Sequence, residues 1–349
     1  LIEAEPMDFD ASRRRLRFAM DDALAQLAAV TADPLQSDIY LDVTADPEFG
    51  AMIERDGDRF RVCLTTGCVD TLDLLWTEAL RDPDLLMVGD ARITDDVAAV
   101  THLSLVWLCL HELAHVRLLH FDLTGHSGLP ETHGILQFAL TGLAKREAAP
   151  VDALDPKDRT LAFPCMELQA DSEAIDILLD AYDEDRWEEL RLRAASIFAV
   201  MALIEREDRR HEEPGNTHPL SSTRFFVMLN HLFQMWLYPG AELKETDDGT
   251  MVIPEKEPTA EELQAYSRVV LGPAVKDAIA LAVTAKARSF IADVGGDSPL
   301  IFDLETSQYG TDLSETDLKS AGGREWFRLL SVNEKLMSLT GLRRAPSRA

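Results

Sequence analysis

Positive charge is scarce in this chain. Its 349 residues carry 34 Lys and Arg against 62 Asp and Glu, a formal net charge of −28. So acidic a molecule repels nucleic-acid backbones and anionic membrane faces, and neither is expected as a partner. Two readings of the acidity stay open: it keeps the chain soluble, or it lines a groove that selects basic substrates. Cysteine is scarce as well. Cys63, Cys68, Cys109 and Cys165 show no metal-binding spacing and read as scattered core thiols of a reducing compartment. Long apolar runs are missing: Val97–Leu110 is the most apolar stretch, short of the roughly 20 residues of a membrane span and interrupted by His102 and Ser104. Arg13-Arg14-Arg15-Leu16-Arg17 has the charge of an export-signal start, but Asp21 and Asp22 break the apolar run that should follow. No internal repeat or low-complexity tract stands out. The expectation is a soluble, cytoplasmic chain, 46% hydrophobic, with material for one large domain or two modest ones.

Against that background one stretch carries chemistry. His111-Glu112-Leu113-Ala114-His115 reads HExxH. Two histidines four apart project from one helix face and can share a metal ion, while the intervening glutamate can reach a water as general base. A catalytic zinc takes three protein ligands, so a third must come from elsewhere. On a helix continued past the motif, His120 falls about 180° around from His111, on the opposite face. The HExxHxxGxxH solution fails because Leu118 and Phe121 stand at its Gly and His positions. A better donor lies in Pro164-Cys165-Met166-Glu167-Leu168-Gln169-Ala170-Asp171. Pro164 suits a first helical turn, which puts Glu167 and Asp171 on one face. Alone, this is an ordinary acidic amphipathic helix. Behind an HExxH, Glu167 becomes the third ligand and Asp171 the acceptor for the free N–H of a ligand histidine.

HELAH followed by an E-x-x-A-D helix resembles the gluzincin peptidases, in particular the HtpX-like and CAAX prenyl protease family and its soluble relatives. Three further stretches resemble that family: Phe60–Gly67, a strand leading into Thr-Thr-Gly; His115–His120, with a second histidine five residues on; and Thr217-His218-Pro219 through Arg224. The likeness covers roughly residues 45–235. The chain departs from the family's best-known members in having no visible transmembrane helices, and in a segment around Thr77–Thr94 that separates the TTG turn from HELAH. The resemblance implies a zinc-dependent endopeptidase with one Zn²⁺ held by His111, His115 and Glu167, acting on a protein or peptide substrate. It implies Glu112 as general base and His218 as donor to the oxyanion, although His218 also reads as a residue leading into the helix after Pro219. Arg224 would orient the His218 loop or contact the substrate backbone. The strand before TTG is either a plain sheet strand or an edge strand that receives peptide beside the metal. The alternative to an enzyme is a catalytically silent zincin-fold regulatory or binding protein that keeps its metal.

The remaining periodicity implies an α+β chain, predominantly helical, with a small sheet beside the HExxH helix. Helices are expected at Ser12–Val30, Val69–Leu80, Thr94 (as N-cap) to about Phe121, Ile135–Lys145, Trp187–Arg206, Ser222–Trp236 and Glu325–Leu339, with 260–293 helical around a break at Pro273. Asp122–Phe163 reads as loop-rich around its one short helix, and His126 and His133 there read as surface histidines. Asp247-Asp248-Gly249 marks a turn between two short extended runs. Residues 1–240 are expected to form the catalytic unit and 241–349 a helical extension able to sit over the groove and autoinhibit it.

Overall fold

The structure is a computed structural model; it describes residues 9–30, 35, 37–125, 149–210, 218–235, 244–245, 251–252, 259–295, 297–309 and 313–340. The expected helix at Ile135–Lys145, His126, His133, His211, Trp236 and most of Pro239–Pro258 lie outside these residues.

Helices dominate. The N-terminal α1 (Phe9–Val30) presents Leu16, Ala19, Met20, Ala23 and Leu27 at helical spacing to the core. A three-stranded sheet follows, formed by β1 (Asp38–Thr44), β2 (Ala51–Asp56) and β3 (Arg59–Thr65) in the order β1-β3-β2. β3 pairs parallel with β1 and antiparallel with β2, so it is the central strand and offers no free edge. This corrects the edge-strand reading: alternation of Phe60, Val62 and Leu64 marks one buried face but says nothing of how many neighbours a strand has. The β2–β3 hairpin closes through Gly57-Asp58, with Gly57 at φ 63°, the backbone a two-residue turn demands.

The Thr-Thr-Gly segment locks the end of β3 to the loop before β2. Thr65 Oγ1 donates to Glu48 O at 2.5 Å, Thr66 Oγ1 to Asp46 O at 3.0 Å and Gly67 N to Asp46 O at 2.8 Å. A Cβ on Gly67 would stand 2.2 Å from Glu48 O, so only glycine lets the chain pass there. From this knot α2 (Gly67–Ala79) starts and packs its Leu72, Leu75 and Trp76 face on the next long helix. Between them a short hairpin, β4 (Met87–Val88) with β5 (Ala91–Arg92), lies in the segment that separates the Thr-Thr-Gly turn from HELAH.

The HExxH helix is α3 (Val97–Arg117). Its N-cap is Asp96, whose carboxylate accepts from Ala98 N and Ala99 N, two residues later than the expected Thr94. Thr94 instead accepts from Asp96 N and sets up the cap. By length and composition α3 is apolar enough to cross a membrane, against the sequence expectation, which stopped the run at Leu110. In this fold it is the core helix, packed by α1, α2 and two later helices, Pro156–Leu179 and Trp187–Arg210, and buried on all sides from Ser104 to Val116. Two of its polar side chains find partners: Ser104 Oγ accepts from Trp76 Nε1 and lies within donating reach of Val100 O and Ser196 O, and His102 reaches Asp22 at 2.7 Å.

α3 does not run to Phe121. It stops at Arg117, Leu119 adopts φ 59°, and a separate short helix α4 (His120–Thr124) follows. α5 (Pro156–Leu179) carries the ELQAD residues and begins eight residues before Pro164. Pro156 takes the first-turn position expected of Pro164, which lies inside the helix. α6 (Trp187–Arg210) and α7 (Ser221–Gln234) complete the surround of α3 and α5.

The C-terminal third contains α8 (Ala260–Tyr266), α9 (Gly272–Ala285), α10 (Arg288–Val294), α11 (Pro299–Tyr309) and α12 (Ala321–Thr340). A π-helical turn at Ser267–Leu271 joins α8 to α9, taking up the missing donor of Pro273. β6 (Lys244–Glu245) and β7 (Met251–Val252) pair antiparallel on either side of the expected turn. The helices past residue 258 do not stand apart: Leu281, Phe290, Leu329, Val332 and Leu336 belong to the same hydrophobic core as Leu105, Leu108 and Phe225. α9 packs on α6 and α2, and α12 on α5 and α7. In the packing of the described residues there is no seam at 240/241. These helices contribute apolar faces to the one shared core.

Candidate metal centre

Three elements meet around α3. The helix places His111 and His115 one turn apart, α5 faces them with Glu167 and Asp171, and the start of α7 brings in His218 and Arg224. His111 Nε2 lies 3.3 Å from His115 Nε2 and 3.2 Å from Glu167 Oε2, and His115 Nε2 is 3.6 Å from Glu167 Oε1. Among the described residues these three form the one group able to hold a metal ion, and each is buried. Three donors bonded at 2.0–2.1 Å in a tetrahedron would stand about 3.3 Å apart, so the observed spacing fits a small tetrahedral cation. Two imidazole Nε2 atoms facing each other at this distance need a proton or a cation between them, since otherwise their lone pairs oppose.

Charge tells the same story. Glu112, Glu167 and Asp171 bring three buried carboxyl groups, and Arg224, fully buried, brings one guanidinium. Uncompensated buried charge costs several kcal/mol per ion, and in the protein residues alone protons supply the balance. Burial pushes the Glu112 carboxyl up to about 7. His111 is pulled down by burial, but hydrogen bonds and charge from Asp171 and Glu167 outweigh this and raise it to about 10. Burial alone would raise Glu167, yet the facing histidines hold it well below the usual carboxylate range. Burial also drives His115 well down and His218 to about 4, so both rings are neutral near pH 7. Protons stand where a divalent cation would discharge the same imbalance.

Each residue singled out in the sequence is placed by these contacts. Asp171 Oδ1 approaches His111 Nδ1 at 2.9 Å, though off the line of an ideal N–H···O bond. Glu112 is 2% exposed, and its Oε1 has no hydrogen-bond partner among the described residues. His218 Nε2 stands 3.7 Å from Glu167 Oε2. Arg224 reaches both acidic residues of α5, with its Nη2 3.3 Å from Glu167 Oε2 and its Nε 3.3 Å from Asp171 Oδ2. Its side chain is fully buried.

His120 is the residue that sequence reasoning misplaced. It is outside the converging triad, but not because it lies on the far side of α3. The break at Leu118-Leu119 turns it back until its Nδ1 is 2.8 Å from His115 Nδ1, and its Nε2 is 2.9 Å from Gln169 Oε1. Gln169 Nε2 in turn donates to Asn333 Oδ1 on α12 at 2.6 Å. A histidine five residues past the ligand motif was the available signal; the helix break that positions it was not. Comparison with protein-family models, with curated proteins and with solved structures finds no match to this chain.

Proposed function

We propose that this protein is a zinc-dependent endopeptidase of the gluzincin type, similar to the HtpX-like and CAAX prenyl proteases, with a zincin-like core around α3 and α5. The observation that carries the reading is Glu112. It shares a helix with two histidines whose Nε2 atoms converge with Glu167, and it holds a buried carboxylate oxygen with no partner among the described residues. A structural metal site has no use for such a group and normally takes four protein ligands. When bound at His111, His115 and Glu167, zinc would supply Lewis-acid polarisation of a carbonyl and acidify a water.

The chain's own residues do the rest. Glu112 takes the proton of the attacking water and returns it to the leaving amine. In the chain without metal, burial brings its carboxyl to about 7; a cation bound beside it would lower that and favour the ionised form that takes a proton. His218, neutral and held beside Pro219, offers an N–H to the oxyanion. Arg224 and Asp171 act on the ligands: the guanidinium spans Glu167 and Asp171, and Asp171 faces His111 Nδ1. Together they keep Glu167 ionised and His111 turned with its Nε2 inward.

The test is cleavage of an unfolded, carboxymethylated protein by chain stripped with chelator and then reloaded with zinc, scored by new N-termini. Activity should vanish on stripping and return with zinc. His218→Ala should then lower kcat roughly a hundredfold to a thousandfold with little change in KM, while zinc stays bound. Cleavage that persists in the stripped chain, or a His218→Ala variant that loses its metal, contradicts the assignment.

One observation favours the silent alternative. His111, Glu112, His115, Glu167 and His218 are all no more than 6% exposed, so little of the site is open to a substrate carbonyl. A zinc-loaded chain that cleaves nothing would support that second reading.

A further inference from the structure

Proton accounting along the contacts of His120 fixes a direction. Gln169 Nε2 donates to Asn333 Oδ1 at 2.6 Å, so its Oε1 is the atom turned to His120 Nε2 at 2.9 Å, and that oxygen can only accept. A neutral His120 therefore carries its proton on Nε2 and leaves Nδ1 bare. The bare Nδ1 lies 2.8 Å from His115 Nδ1. Two nitrogens at that distance share one proton, and here His115 must hold it. His115 Nε2 is then a lone pair directed at His111 and Glu167.

We propose that Asn333, Gln169 and His120 form a one-way hydrogen-bond chain that sets the tautomer of His115 and so presents its Nε2 to the metal, which makes His120 and Gln169 positioning residues of the centre. The inference rests on the metal-site reading above. Every link is needed in this sense. Were the Gln169 amide reversed, its NH₂ would donate to His120 Nε2, His120 Nδ1–H would donate to His115, and the proton would end on the atom that must bind the cation. The two ligand histidines are thus set by different devices: His111 by the carboxylate of Asp171, and His115 by neutral groups that begin on the last helix of the chain. Asn333 ties the register of α12 to the centre. The abrupt turn at Leu119, in the left-handed region at φ 59°, is what delivers His120 to its place.

The experiment is zinc affinity, measured on the full chain by competition with a chromophoric chelator, beside thermal unfolding of the stripped protein. Gln169→Met keeps the volume but cannot accept from His120, and His120→Phe removes the acceptor outright. Each should weaken zinc binding about 10- to 100-fold, the usual scale for groups that orient a ligand, with unfolding of the stripped chain little changed. Gln169→Glu can only accept, so it preserves the polarity and should bind zinc within a few-fold of wild type. Asn333→Leu, one link further out, should show a smaller loss. A Gln169→Met variant as tight as wild type overturns the proposal, and so does a Gln169→Glu variant as weak as Gln169→Met.

Imidazole ¹⁵N chemical shifts separate this idea from the metal reading. In the stripped wild type His115 should be protonated on Nδ1, and in Gln169→Met the Nε2-protonated form should appear. If that holds while wild type binds no zinc, the metal reading fails and the chain of bonds stands. Nε2 protonation in the stripped wild type would refute the hydrogen-bond chain.

Discussion

Glu112 sits in an environment that works against its charge. Its carboxyl rises from 4.5 to about 7 in the fold, chiefly through burial. A carboxyl whose folded pKa exceeds its unfolded value favours the native state below about pH 4.5 and loses that contribution as pH climbs through 7. In the metal-stripped protein Glu112→Gln should therefore raise the unfolding temperature above pH 7 and leave it unchanged below pH 4.5. The stability difference should be on the order of a few kcal/mol, because each tenfold change in proton affinity is worth about 1.4 kcal/mol. Thermal melts at the two pH values check this; an equal gain at both would assign the effect to packing. The cysteines give a second residue-scale expectation. Burial pushes Cys63 up to about 12 and Cys68 up to about 11, and raises Cys109 as well. At pH 8 these thiols should react with a disulfide reagent only after denaturation, and fast native labelling of Cys68 would contradict its place beneath Gly50.

At the scale of elements, the Thr-Thr-Gly turn is the sharpest case of sequence dictating structure. Gly67→Ala must move the Glu48 backbone, 2.2 Å from the new Cβ, and should destabilise the protein by about 3 kcal/mol. Gly57→Asn, at a positive φ with open space around it, should cost about 1 kcal/mol or less. Comparable losses at both sites in denaturant titrations would show that the knot is not a close approach. The same contrast explains what was legible. Periodicity recovered α1, α2, α6, α7 and α12, because each turns an apolar face to the core. β1 and β2 escaped notice although Asp56-Gly57 is a hairpin signal, and β1 shows little alternation, with no residue of it fully buried. Residue spacing found His111, His115 and Glu167 because a helical repeat fixes where side chains point. His120 defeated the same rule, since a left-handed residue such as Leu119 leaves no mark in hydrophobic spacing. Gln169 and Asn333 are 164 residues apart, and only the packing of α12 on α5 brings them together.

For the whole molecule, one shared core carries the largest consequence. The C-terminal helices bury Tyr266, Leu281, Phe290, Leu300, Leu329 and Leu336 against the elements that hold the centre. Gly322 lies so close to the Ser222 backbone that a Cβ would come within 2.5 Å of it, at the start of the helix bearing Arg224. Truncation after residue 258 should therefore not release an active core. It should give an aggregating or molten chain with no stoichiometric zinc, as seen by size-exclusion chromatography and metal analysis. A soluble, zinc-loaded and more active fragment would restore the removable-lid expectation. The central claim is that the two helices α3 and α5 build a hydrolytic metal centre whose binding and chemical functions lie in different residues. It is tested most directly by counting zinc and measuring peptide cleavage on the same preparations of wild type, Glu112→Gln and Glu167→Ala. About one zinc per chain is expected in wild type and in Glu112→Gln, with cleavage at least about a hundredfold lower in the latter, and loss of both zinc and cleavage in Glu167→Ala. A Glu112→Gln chain that has lost its zinc or cleaves like wild type, or a Glu167→Ala chain that keeps the metal, would contradict it.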